Sequence, residues 1–444
     1  MLYAVMLGTI MGPLDATIAN VALPALGHAF HHSVDDVEWV LLSYLLALAT
    51  LLISFGRLGD LVGRRRVFLA GFGVFGVGSL LCAFAPGLWW LVAFRVLQGV
   101  GMAMVQASGP AIITATFAAR ERGRALGLNG ASVAAGLALG PILGGAIVTY
   151  ADWRWIFLIN VPIAIVGSIW AAMVIHDDRT VEERFDLAGA GLAFATLFTV
   201  CLALSRAHVW GWGSPWVVAL LAATPALGAL FLLVEQRTVE PMLDLALFRD
   251  QVLAMSVAAA VGNYICQYAI FFAVPLALQR GLGMSALDAG ATLVPLALVV
   301  TFGAPIAGAL SDRVKARYLA SFGMLLIGAG AGALLAISDH PTLGDVTLRL
   351  IVIGAGVSLF NQPNNNTIMG RAPRDQLGVA GGILSTARTV GMVLGIAIAG
   401  AIYFFTATRL AGTAGASPLA PARAVFAAVI VLSLATAAVS YWRE

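Results

Sequence analysis

Charge is scarce in this chain. Asp, Glu, Lys and Arg make up 11% of its 444 residues, 60% of the residues are hydrophobic, and the mean hydropathy is +0.94. A soluble domain carries about 25% charged residues. A chain this poor in charge could not cover its surface in water, so lipid must be its main solvent. The net charge is only +3 and is scattered in short clusters, which excludes the basic footprint of a nucleic-acid binder. Cysteine is nearly as scarce. Cys82, Cys201 and Cys266 each lie inside an apolar run, far apart, so neither a disulfide framework nor a thiolate metal site is implied. A serine nucleophile elbow, a phosphate-cradling glycine loop and an HExxH helix are also missing. The chain is therefore expected to be no enzyme, to carry no cofactor and to draw no energy from ATP. His28, His31 and His32, followed by Asp35 and Asp36, read as a solvated loop, and no metal is expected.

Long apolar stretches are what the chain does have. Fourteen can be placed, the first near 4–29 and the last near 422–441. Each is close to the roughly 20 residues a helix needs to cross a bilayer. They are too long, and not alternating enough, for barrel strands. The first stretch carries Asp15 and Asn20, lacks a basic leading region and exceeds a signal core, so it reads as a retained span. It begins almost at Met1, which leaves open whether the native start lies upstream. Lys and Arg then orient the spans. The even loops and the tail hold 17 of them, among them Arg57, Arg64, Arg65, Arg66, Arg313, Lys315 and Arg443; the odd loops hold 6, such as Arg154 and Arg206. By the positive-inside rule both termini are expected in the cytoplasm of a multi-pass cell-membrane protein.

An internal repeat organises the spans. Gly56-Arg-Leu-Gly-Asp60, after span 2, is matched by Gly308-Ala-Leu-Ser-Asp312, after span 10, at an offset of 252 residues. A shift of eight spans implies two six-span halves with two helices between them. The expected domains are a six-helix bundle at 1–178, two linker helices with cytoplasmic loops at 179–250, and a second six-helix bundle at 251–444. Paired repeats of this kind bind substrate at their interface.

Five ordered motifs carry a family resemblance. Gly56-Arg57-Leu58-Gly59-Asp60-Leu61-Val62-Gly63-Arg64-Arg65-Arg66 resembles the signature loop between spans 2 and 3 of the major facilitator superfamily, although Leu61 stands where that family often has a basic residue. Arg95-Val-Leu-Gln98-Gly99 resembles its span-4 motif, and Gly136-Leu-Ala-Leu-Gly140-Pro141-Ile-Leu-Gly144-Gly145 its span-5 antiporter motif. Leu14-Asp15-Ala-Thr17-Ile-Ala-Asn20 and Trp153-Arg154-Trp155-Ile-Phe-Leu-Ile-Asn160-Val-Pro162 look like motifs of its fourteen-span drug:proton antiporters. The resemblance implies an all-α membrane protein with the major facilitator fold, and a proton-coupled exporter of hydrophobic or cationic small molecules.

The residues themselves suggest the roles. Asp15 sits among apolar neighbours, and an isolated carboxylate in lipid is costly unless it is neutral in some state. It is the expected proton carrier, with Glu38 as the alternative. Arg95, deep in span 4, is expected to be paired and to tune that acid. Gly56, Asp60, Gly63, Arg64 and Arg65, with Asp312 and Arg313 in the repeat, are expected to form a cytoplasmic gate in which Asp60 takes helix N–H groups or an arginine. Gly136, Gly140 and Gly144 present a smooth helix face, and with Pro141 and Gly145 form the expected hinge. Polar residues within spans, Asn20, Asn263, Tyr264, Gln267, Tyr268, Asn361, Gln362 and Asn365, either line a substrate cavity or bind helices together; Arg388 is expected beside them, paired. The few acids favour monocationic or neutral amphiphiles over dications. Partners are the small-molecule substrate, protons and the bilayer; no nucleic acid is expected, and the protein is read as a monomer. Other readings are a metabolite exporter or another solute transporter on the same fold, or a membrane sensor that transports nothing.

Overall fold

The computed structural model describes residues 1–176, 184–211, 213–243, 245–284, 289–290, 292–311, 313–339, 341–410 and 417–443. All regular structure among them is helical. That follows from the solvent: lipid offers the backbone no hydrogen-bond partner, so each span must satisfy its own N–H and C=O groups.

In chain order the helices are α1 (Leu2–Phe30), α2 (Val34–Val62), α3 (Arg64–Ala83), α4 (Leu88–Thr116), α5 (Ala119–Tyr150), the single turn α6 (Trp155–Leu158) and α7 (Asn160–Val174). Next come α8 (Leu187–Trp210), α9 (Pro215–Glu235), α10 (Gln251–Leu276) and α11 (Val294–Ser311). The chain closes with α12 (Ala316–Leu335), α13 (Leu343–Arg371), α14 (Leu377–Leu410) and α15 (Ala420–Trp442). Thirteen spans among the described residues are long and apolar enough to cross a membrane. α5 is not one of the thirteen. It has the length, 32 residues, and residues 125–150 carry no charge; the side chains of several of its residues lie outside the described set.

The chain divides into two compact units. The first comprises Met1–Ala118, Leu128–Leu247 and Met369–Thr386, and the second Ala119–Gly127, Phe248–Ile368 and Ala387–Glu444. α8 and α9, between the two repeats in sequence, fall within the first unit. α5 and α14 each contribute to both units.

Local breaks set the positions that matter. Gly63 joins α2 to α3 with φ 104, a backbone setting that glycine adopts without a Cβ penalty. Between α6 and α7 the helix is interrupted at Ile159. Pro162 has no N–H to return to Leu158, and proline is tolerated in a first turn, so α7 restarts with Asn160 as its first residue. One apolar cluster of the first unit joins Leu14, Ile18 and Leu26 of α1 to Val37 and Val40 of α2, Leu88 and Leu91 of α4, and Trp153, Ile156 and Phe157.

Candidate functional site

Asp15 lies midway along α1 and is 1% exposed. Its sequence neighbours are apolar, but its neighbours in space are not. Arg95 of α4 donates from Nη1 to Oδ2 at 2.5 Å. Gln98, one turn on, donates from Nε2 to Oδ1 at 3.0 Å, and Asn160 of α7 donates to the same oxygen at 2.7 Å. The carboxylate accepts from every partner and donates to none, the arrangement that suits its charged form.

Arg95 is itself fully buried, so it does not snorkel to a surface. Its Nε donates to the carbonyl of Val40 at 2.9 Å and its Nη1 also to Gln98 Oε1 at 2.6 Å. The guanidinium lies 4.3 Å from the ring centre of Tyr44 and 5.7 Å from that of Phe157. Cation–π contacts reach about 2 kcal/mol when desolvated. Gln98 Nε2 continues the network to Ser79 Oγ at 2.8 Å. Five helices, α1, α2, α4, the turn α6 and α7, thus meet on one ion pair, and α3 joins through Ser79. The sequence motifs contain Gln98 and Asn160 but assign neither a role. A polar amide at mid-span, one turn from a buried arginine or at a proline-broken helix start, is the signal that marks them.

Glu38 is held elsewhere. Near the start of α2, half-buried, it meets Arg206 of α8 at 3.2 Å. Arg206 is buried between the rings of Trp39, 5.1 Å away, and Trp210, 5.7 Å away. This contact fastens a linker helix to α2.

The glycines of α5 lie along α1. A β-carbon at Gly136 would press on the Ile10 carbonyl and on Leu14, one at Gly140 would collide with Thr17, and one at Gly144 would crowd Ile18. Spaced four apart, they form a single face. Gly145 faces open space. Pro141 falls within α5, its side chain lying outside the described residues.

At the α2–α3 corner Asp60 is 1% exposed and accepts four donations. Two come from the first-turn N–H groups of α14, Gly378 at 2.8 Å and Val379 at 2.9 Å. The others come from Arg64 Nε at 2.9 Å and Nη2 at 2.7 Å. First-turn amides have no partner within their own helix, and the helix dipole favours an anion there. Arg64 also donates to the Arg374 carbonyl at 2.8 Å. Gly56 and Gly378 meet backbone to backbone; a β-carbon on either would strike the other's carbonyl. Arg65 is more exposed and donates to the Ala172 carbonyl at 2.8 Å.

The repeat has its own version of this crossing. In the second unit Gly308 of α11 meets the Gly123 carbonyl of α5, and here too a β-carbon would collide. Arg313 is exposed just beyond α11, while Asp312 lies outside the described residues.

The remaining polar residues gather mostly in the second unit. Asn263 and Gln267 of α10 are buried, Asn263 completely. Asn263 donates to Asn361 Oδ1 of α13 at 2.8 Å. Gln362 is buried beside Asn361 in sequence; Asn365 is half-buried. Tyr264 and Tyr268 lie within electrostatic reach of Arg388 on α14. Gly391, one turn beyond Arg388, meets Tyr264 so closely that a β-carbon would clash. Asn20, on α1 of the first unit, is exposed. Arg443, counted with the tail in the sequence, is not a solvent-facing charge. It is 2% exposed and donates to Ser256 at 3.1 Å and to Asn364 Oδ1, while Asn364 donates to the Ser256 carbonyl at 3.0 Å.

The sequence matches the family model described as Major Facilitator Superfamily over residues 5–396. The tetracenomycin C resistance and export protein of Streptomyces glaucescens is 34% identical over 403 residues, 90% of this chain and 75% of that protein. The riboflavin transporter RibZ of Clostridioides difficile is 32% identical over 405 residues, 89% of this chain and 86% of that protein. The crystal structure of the human organic anion transporter MFSD10 shares the fold, with a TM-score of 0.67 over 99% of this chain and 98% of that one at 15% identity. With the family model matched from the first span to deep in α14, and transporter relatives matched over 75% and 86% of their own length, this chain belongs to the Major Facilitator Superfamily: it is a multi-pass membrane transporter rather than an enzyme.

Proposed function

We propose that the protein is a proton-coupled exporter of small organic molecules, of the fourteen-span drug:proton antiporter branch, working by alternating access in the cell membrane with both termini in the cytoplasm. The observation that carries this reading is Asp15. Among the described residues it is the acid buried at mid-helix; Asp60 and Glu235, the other buried acids, stand at helix ends.

The chemistry follows from the partners. A proton arriving at Oδ2 cancels the carboxylate charge and sets an O–H where Arg95 Nη1 now donates. Two donors then face each other, and Arg95 loses the anion that offsets its burial. The clasp between α1 and α4 loosens, and it re-forms when the proton leaves. Access to opposite sides of the bilayer in the two conditions makes the cycle an exchange. If Asp15 is the loaded group, one proton moves per cycle, and exchange against a neutral molecule draws on both the pH gradient and the voltage, about 2.3 kcal/mol per charge at 100 mV. The Asp60 contact to α14 supports the reading as a cytoplasmic latch, and the glycine face of α5 as a bearing for α1.

The test is proton movement in everted vesicles on adding candidate compounds, comparing wild type with Asp15→Asn. Loss of coupled proton movement with retained binding is expected. Unchanged coupling moves the role to Glu38 or sinks the proton mechanism. The riboflavin transporter among the relatives favours a second reading, a metabolite carrier on the same fold. Accumulation of substrate from outside in right-side-out vesicles would select it.

A further inference from the structure

The amide group on α10 and α13 leaves three acceptors open. Asn263 Oδ1, Gln267 Oε1 and Gln362 Oε1 are buried acceptors that no donor among the described residues reaches. Asn263 and Gln267 are four apart on α10 and therefore share a face; Asn263 is tied to Asn361, whose neighbour is Gln362. A buried carbonyl left without a donor costs the free energy of its lost hydration. Three within two adjoining helices form a set that a ligand's donors would complete.

Charge narrows the ligand. α10, α11, α12, α14 and α15 contain no Asp or Glu, and the one acid of α13, Asp345, is in its first turn. Arg388, on α14, lies in reach of Tyr264 and Tyr268. A cation brought among these helices meets no carboxylate of theirs at mid-span to offset its lost hydration. The tyrosine rings add flat surface for an aromatic ligand.

We infer that the amide patch of α10 and α13 receives a neutral or anionic molecule rich in hydroxyl or N–H donors, and that lipophilic cations are not the transported class. This rests on the proposed function only in taking the chain to carry small organic molecules. It keeps the hydrophobic, neutral part of the range expected from the sequence and removes the cationic part.

The experiment is thermal unfolding and direct binding with the full chain in lipid nanodiscs, without a proton gradient. The probes are two matched pairs, riboflavin with its tetraacetate and emodin with its trimethyl ether, against tetraphenylphosphonium and rhodamine 6G as cations. The hydroxylated members should raise the unfolding temperature, and the capped partners and the cations should not. Gln267→Leu and Gln362→Leu should each weaken binding about tenfold, as expected for one lost hydrogen bond, while raising the unfolding temperature of the ligand-free protein, because an unmet acceptor has been removed. The inference is overturned if the cations stabilise more than the hydroxylated probes, if no hydroxylated probe binds, or if the leucine variants bind unchanged. A leucine variant that is less stable without ligand assigns the oxygens to packing and overturns it as well. Failure of proton coupling in vesicles with this binding intact would remove the exchange mechanism alone.

Discussion

Asp15 and Gln267 are both polar side chains buried in apolar helices, yet the protein treats them differently. Around Asp15 every lone pair in use meets a donor, and Arg95, Gln98 and Asn160 come from two other helices to supply them. Around Gln267 the carbonyl oxygen is left unmet. The first group is charged and its carboxylate is met on both oxygens, which stabilises one arrangement of α1, α4 and α7, although Arg95 Nη2 and Asn160 Oδ1 meet no partner among the described residues. The second is neutral and incomplete, so its stability waits on something from outside the fold. In the proposed exchange each kind of site has a use: one changes when a proton comes or goes, and the other is not satisfied until cargo arrives.

The comparison can be broken most forcefully at the ion pair. Asp15→Asn leaves the Arg95 charge buried and uncompensated, which costs about 3–5 kcal/mol when a buried pair loses one partner. The unfolding temperature should fall sharply, and the double variant Asp15→Asn with Arg95→Gln should recover much of it. A loss below about 1 kcal/mol would mean the cluster is not the closed pair described. The latch comes next. Asp60→Asn weakens charge-assisted bonds worth about 1.5–3 kcal/mol each, and the amides of Gly378 and Val379 should exchange their hydrogens faster; unchanged protection there would dismiss the latch. Gly140→Ala drives a methyl into Thr17, an overpacking cost of about 1–3 kcal/mol, and should slow transport more than it lowers substrate affinity. An Asp15 carboxylate that works through motion of α1 predicts that order; equal losses in rate and affinity would contradict it. The smallest effect belongs to Glu38→Gln. Its pair with Arg206 is partly solvated on the Glu38 side, so the change should cost below about 1 kcal/mol and leave proton coupling intact in the vesicle assay. A loss of coupling would transfer the carrier role from Asp15 to Glu38.

How much of this could be read from the chain itself differs from residue to residue. Arg95 and Asp15 were conspicuous because charge in a span is costly whatever surrounds it, and that cost needs no coordinates to see. Their pairing needed the fold: 80 positions separate them, and no local pattern encodes which helices become neighbours. Asn160 stayed hidden because an amide at a span start is unremarkable until the proline break sets its direction. Asp60 pointed to helix amides or an arginine by its chemistry, and it meets both, but only the fold shows that the amides are those of α14. Arg443 was read as a tail charge from its place at the chain end, and burial overrode position. The open acceptors on α10 and α13 were visible as polar letters and nothing more, since whether an amide is met or unmet is a property of its surroundings.

At Gly136, Gly140 and Gly144 the backbones of α5 and α1 come together with little between them. Elsewhere α5 does grip α1 by side chains: Asn129 Oδ1 accepts from Thr9 at 2.8 Å, and Leu143 and Ile147 pack on the cluster that holds Leu14 and Ile18. In the proposed cycle these grips, rather than the glycine face, are what α1 must release before Asp15 can slide past its donors.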